Sequence, residues 1–132
     1  MKQRRKRILI ADLDPEILIA IEKALEDEGY DTSTAWTGRD VLRLAQAQAF
    51  DLFLLGDHLP DTECDDILEA LRQSATRVPC IVMQPGCAAT ENASVRLQGV
   101  CEVVDKYEYS SIVRVVARWV GGAEAALAAE AA

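Results

Sequence analysis

A chain of 132 residues, half of them hydrophobic, is about one domain's worth of material and long enough to bury a single core. It carries 14 basic and 22 acidic residues, a formal net charge of minus 8, and no apolar stretch approaches the roughly 18 residues that span a bilayer. The charged start lacks the apolar run of a secretory signal, so neither a membrane-spanning nor an exported protein is expected, and the predicted location is the cytoplasm.

In chain order, Lys2-Gln3-Arg4-Arg5-Lys6-Arg7 comes first and holds five of the 14 basic residues, leaving nine against 22 acidic ones elsewhere. An acidic body repels nucleic acid and anionic lipid, so only this arm is able to contact either, in a salt-screened way. It reads as a solvated flank over residues 1–6 or as a nucleic-acid or membrane tether. Arg7 to Ala11 is a strand-like apolar run. Pro15 then suits the first turn of a helix whose face is Ile17, Leu18, Ile21, Ala24 and Leu25, ended by Gly29. Tyr30 to Ala35 alternates weakly as a second strand, and Thr37 suits the cap of a helix carrying Val41, Leu44 and Ala45 inward.

Asp51 to Leu55 is the third strand, followed by Gly56-Asp57-His58-Leu59-Pro60-Asp61, a loop with a turn closed by Pro60. The next helix places Cys64, Ile67, Leu68 and Leu71 on one side. Val78-Pro79 leads into Cys80 to Met83 as the fourth strand, a Pro85-Gly86 turn follows, and residues 88–98 form a poorly patterned fourth helix. Cys101 to Val104 is the fifth strand, and the last helix aligns Ile112, Val115, Val116, Trp119 and Val120. Gly121-Gly122 closes the folded domain, residues 7–120. The Ala/Glu-rich tail, 121–132, has helical propensity but almost no apolar face, and reads as a frayed helix, a disordered tail or a docking peptide.

Five alternating strand–helix units with near-continuous apolar strands predict an α/β, doubly wound parallel sheet covered on both sides. Cys64, Cys80, Cys87 and Cys101 show no Cys-x-x-Cys spacing and His58 has no helical or turn partner for a metal, so these read as ordinary reduced residues. No nucleophile and base pair, phosphate loop or metal cluster is apparent, and no enzyme is expected.

Several separated segments are similar to one family, the response-regulator receiver domains of bacterial two-component, phosphorelay signal transduction. Ile8-Leu9-Ile10-Ala11-Asp12-Leu13-Asp14 resembles its first strand and acidic cluster, and Ala35-Trp36-Thr37-Gly38 the turn into its second helix. Asp51 and Pro60 bracket its third strand and loop, Val78-Pro79 precedes its fourth strand, and Gly99 to Lys106 resembles its lysine-ended fifth. The resemblance implies a flavodoxin-like, chemotaxis-regulator-like sheet of order 2-1-3-4-5 with five helices. The ligand crevice of that order lies beyond the carboxyl ends of the strands, where Asp12, Gly56, Gln84 and Lys106 converge.

In the family, two adjacent carboxylates and an acceptor aspartate hold magnesium while phosphate is received from a histidine kinase, and a hydroxyl and a lysine contact the phosphoryl oxygens. This sequence departs at four places. Leu13 stands at the second carboxylate, Gly56 at the phospho-acceptor, Gln84 at the hydroxyl and Val103 at the aromatic switch position, whereas Asp12 and Lys106 are retained. Asp57 is either a displaced acceptor or a loop residue turned to the other side by strand alternation.

The expectation is a pseudo-receiver: a phosphorylation-independent protein-interaction module with no cofactor and no metal. Its partner, a kinase or output protein, is expected on the fourth helix, fifth strand and fifth helix, at Arg96, Tyr107, Tyr109, Arg114 and Arg118, which otherwise read as an ordinary solvated face. The alternative is a working single-domain receiver phosphorylated at Asp57, with magnesium on Asp12 and Asp57. The tether reading of the basic arm stands as a third.

Overall fold

The computed structural model describes residues 5–73, 78–85 and 100–120. Its elements in chain order are β1 (Arg7–Ala11), α1 (Pro15–Asp27), β2 (Asp31–Ala35), α2 (Gly38–Ala47), β3 (Leu52–Gly56), β4 (His58–Leu59), β5 (Thr62–Glu63), α3 (Cys64–Gln73), β6 (Cys80–Gln84), β7 (Val100–Asp105) and α4 (Tyr109–Val120). The predicted helix over 88–98, the start of the basic arm and the Ala/Glu tail lie outside the described residues, among which there are four helices.

Local chemistry accounts for the helix starts. Pro15 occupies the first turn of α1, where its missing N–H costs nothing, and the Asp14 carboxylate accepts from the Glu16 amide at 2.9 Å. Thr37 does the same for α2, its hydroxyl accepting from the Asp40 amide at 3.1 Å. Gly29, with φ at +93°, takes the left-handed conformation just past the end of α1 that a side chain would strain.

Five parallel strands form one sheet in the order β2-β1-β3-β6-β7, the doubly wound flavodoxin-like arrangement expected from the resemblance. Alternation along the strands sorts their side chains between two cores. Leu9, Ala11, Phe53, Leu55, Val82 and Val103 join Val41, Ile67, Leu68 and Leu71 of α2 and α3. Ile8, Ile10, Leu52, Leu54, Ile81, Met83 and Val104 join Ile17, Leu18 and Ile21 of α1 and Ile112 and Val116 of α4. A fully buried side chain of this kind contributes about 1.5–3 kcal/mol, which is why β1 and β3 need no polar alternation.

The predicted bounds shift slightly. Strand β2 begins at Asp31, β3 runs on through Gly56, and β6 and β7 each extend to the sheet's carboxyl edge at Gln84 and Asp105. The segment expected as a simple turn closed by Pro60 is a short antiparallel hairpin instead, pairing His58 with Glu63 and Leu59 with Thr62. At its tip the Asp61 carboxylate accepts from the Gly38 amide at 2.8 Å and the Arg39 amide at 3.1 Å, two orphan donors at the start of α2. The hairpin lies so close that a Cβ on Gly38 would overlap the Thr62 methyl.

The Gly38 amide outweighs the opposing desolvation and, with the Arg39 amide, holds the Asp61 carboxyl below its ordinary value. A depressed folded-state pKa stabilises above the unfolded value, about 3.9, and that contribution is lost as pH falls through the folded value. Asp61→Asn should therefore melt earlier than wild type near neutral pH. The gap should close as pH drops below about 4, read from thermal melts across that range.

Candidate functional site

Parallel strands all point their carboxyl ends to one edge, so in-register pairing decides which loop residues meet. Ala11 pairs with Ala35 and Leu55, Gly56 with Met83, and Gln84 with Asp105. The residues that follow, with Gly56 itself, bring Asp12, Gly56, Gln84 and Lys106 to a common edge.

At its centre Asp12 is fully buried. Its Oδ1 accepts from the Asp14 amide at 2.9 Å, and its Oδ2 lies 3.0 Å from Lys106 Nζ. The Lys106 ammonium is thus the charged group matched to this oxygen. Lys106 is itself mostly buried, at 12% exposure, and its backbone amide is held by the Gln84 carbonyl at 2.9 Å. A Cβ placed on Gly56 would lie 2.6 Å from Asp12 Oδ2 and 3.2 Å from the Ala11 carbonyl oxygen. Real Cβ atoms do not approach an atom that closely, so the Asp12 carboxylate fills the space that a side chain on residue 56 would need.

The remaining positions fall away from this pair. Leu13 stands 50% exposed. Asp14 turns its carboxylate to the α1 amides. The Asp57 amide donates to the Met83 carbonyl at 3.0 Å, and its half-buried carboxylate lies 3.8 Å from His58 Nε2. The other ring nitrogen of His58 is 2.8 Å from Glu63 Oε1, which binds the Asp57 neighbourhood to the hairpin. Magnesium needs several oxygen ligands at near-octahedral positions. These residues do not fit it: Asp12 is matched to an ammonium, Leu13 has no donor, Asp14 is a helix cap, and no three candidate ligands gather among the described residues.

Val103 is packed into the α2/α3 side of the core in register with Val82. On the expected partner face, Tyr107 and Tyr109 are exposed, and Arg114 donates to the Ser111 hydroxyl at 3.2 Å. Arg118 stays exposed but is ion-paired within the chain. It donates to both oxygens of Glu102, at 2.6 and 2.5 Å, and Trp119 donates to the same carboxylate at 2.9 Å. Arg96 lies outside the described residues. Sequence reading missed Glu102 and Asp61, because the partners of each lie 16 or more residues away and no local pattern joins them.

Residues 8–108 match the family model of the response regulator receiver domain. The chain is similar to the sensor protein GacS of Pseudomonas syringae pv. syringae, with 24% identity over 127 residues, covering 92% of this chain and 14% of that protein. It is similar as well to the transcriptional regulatory protein KdpE of Mycobacterium tuberculosis, with 34% identity over 100 residues, covering 76% of this chain and 42% of that protein. Among solved structures it is similar to a CheY-like response regulator receiver domain protein from Methanospirillum hungatei, at 28% identity and a TM-score of 0.80, covering 89% of this chain and 95% of that one. The chain thus spans less than half the length of these curated relatives.

Removing one member of a buried ion pair leaves the other charged and unmatched, which costs about 3–5 kcal/mol. Lys106→Met should lower stability by about that amount in urea denaturation, and Asp12→Asn added to it should recover a substantial part. A double-mutant cycle measures the coupling directly.

Proposed function

The chain belongs to the response regulator receiver family, and we propose that it is a pseudo-receiver: a protein-interaction module of two-component signalling that works without phosphate. It is no enzyme and has no resident cofactor or metal, it works in the cytoplasm, and its partner is a signalling protein, either a kinase or an output protein. The observation that supports this best is the internal ion pair. Asp12 Oδ2 and Lys106 Nζ stand 3.0 Å apart, and Asp12 crowds the position where the family carries its acceptor.

Electrostatics gives the reason. Carboxylates crowded at about 4 Å repel by roughly 4 kcal/mol per pair at an effective dielectric near 20, so an intact three-carboxylate site draws in a divalent cation. Here Leu13 and Gly56 contribute no charge, and the single charge of Asp12 is balanced by Lys106. The drive to bind a hard cation is gone, and residue 56 has no side-chain oxygen to accept a phosphoryl group. Lys106, the group that would otherwise meet phosphoryl oxygens, is already engaged. Asp57, the alternative acceptor, sits against His58 on the hairpin side.

Incubation with a small acyl phosphate and magnesium, followed by intact-mass measurement, tests the reading. Wild type is expected to gain no phosphoryl adduct. Gly56→Asp alone should label poorly, because Leu13 still withholds a second carboxylate and Asp12 must move aside. Gly56→Asp with Leu13→Asp should label more than the single variant. An adduct mapped to Asp57 in wild type would overturn the proposal, and efficient labelling of Gly56→Asp alone would show that the rest of the site is intact.

A further inference from the structure

The amino edge of the sheet is acidic where the basic arm enters it. Strands β2 and β3 flank β1, and the residues that open them are tied to the arm's last residues. The Asp31 amide donates to the Lys6 carbonyl at 2.9 Å, and the Asp51 amide to the Arg7 carbonyl at 2.8 Å. Their carboxylates turn the same way. Arg5 Nη1 lies 3.7 Å from Asp31 Oδ1, and the Arg7 amide donates to Asp51 Oδ2 at 2.8 Å. Beside Asp31, the Thr32 hydroxyl lies 3.1 Å from Glu26 Oε2 and 3.3 Å from Glu22 Oε2, which brings the last two turns of α1 to the same corner. A hydroxyl has one proton, so these two carboxylates share a single donor.

The end of α1 makes the corner more negative. Its last turn holds no basic residue, and Glu26, Asp27 and the cap residue Glu28 stand exposed there. The helix dipole is itself negative at a C-terminus, where cations are favoured, and like charges four residues apart repel. The arm is the complement, with five basic residues between Lys2 and Arg7. Lys2 lies three residues before Arg5, a reach of about 10 Å, against about 6 Å along α1 from Glu22 to Glu26.

We propose that the basic arm is an internal ligand of this edge. Lys2 and Arg4, which lie outside the described residues, dock in cis on the carboxylates around Asp31, Asp51 and Glu26 and continue the contact that Arg5 makes. Charge complementarity and tethering select this occupant. A short tether holds the arm at an effective concentration of about millimolar, ahead of a separate cationic partner. Nucleic acid and anionic lipid meet the arm only past the carboxylates that surround it. The contact is therefore autoinhibitory, withholding the arm from anionic ligands until salt screens it. It sits about 17 Å along β1 from Asp12, at the opposite edge, and so stands apart from the question of phosphate.

The test compares backbone amide spectra of the full chain and of its Lys2→Gln/Arg4→Gln variant at about 0.01 M and about 1 M salt, where the Debye length falls from about 30 Å to about 3 Å. At low salt the substitution should shift the amides of Glu26, Asp31, Thr32 and Asp51. At high salt the two spectra should agree beyond the arm. In an Asp31→Asn/Glu26→Gln background the same substitution should shift those amides by about half as much or less. Trypsin should cleave that background after Arg4 about threefold faster than wild type at low salt, and at an equal rate at high salt. Asp31 and Glu26 are exposed and glutamine keeps an acceptor for Thr32, so the fold should hold, which the amides of the carboxyl edge verify.

Unchanged amides at low salt, shifts centred on Asp57, Glu63 and Glu108 at the carboxyl edge, or equal cleavage at low salt would each overturn the internal contact. Shifts that fade on dilution would overturn it too, by giving the arm to a second copy of the chain.

Discussion

Asp12 carries a carboxylate with no solvent exposure, and a charge in that position must be matched inside the protein. Its match is Lys106, which follows β7, while Asp12 follows β1, and β3 and β6 lie between those strands. The contact therefore crosses the sheet's carboxyl edge over the end of β3, where Gly56 offers no side chain to block it. With a Cβ at residue 56 only 2.6 Å from Asp12 Oδ2, the pair and a larger residue compete for the same space. Gly56 and the Asp12–Lys106 pair thus define a single arrangement in which charge balance is internal.

The loops around this pair use carboxylates as backbone acceptors. Asp14 takes an amide of α1, Asp61 takes two amides of α2, and Asp105 takes the Tyr107 amide at 2.9 Å. Each binds a loop or a helix start at the edge where the strands end. Glu102 plays the corresponding part lower on β7, holding Arg118 and Trp119 of α4. These four carboxylates are in this way structural.

The two cores on either side of the parallel sheet are built from apolar side chains, so the fold does not depend on which charged groups stand at the edge. At that edge the charge of Asp12 faces Lys106 at 3.0 Å. On the α4 side Arg118 is exposed and paired with Glu102 of β7.

Sequence by itself determined the alternation of strands and helices, their approximate bounds and the doubly wound class, because burial on two faces writes period-2 and period-3.6 patterns directly into the chain. It identified Leu13, Gly56, Gln84 and Val103 as departures through resemblance, since residue type alone shows that the family's carboxylate, hydroxyl or aromatic group is absent. Tertiary structure alone decided that Lys106 meets Asp12, that Asp61 caps a helix 22 residues upstream, and that Arg118 is engaged by Glu102. Those facts depend on strand register and loop path, which bring together residues with no periodic relation along the chain.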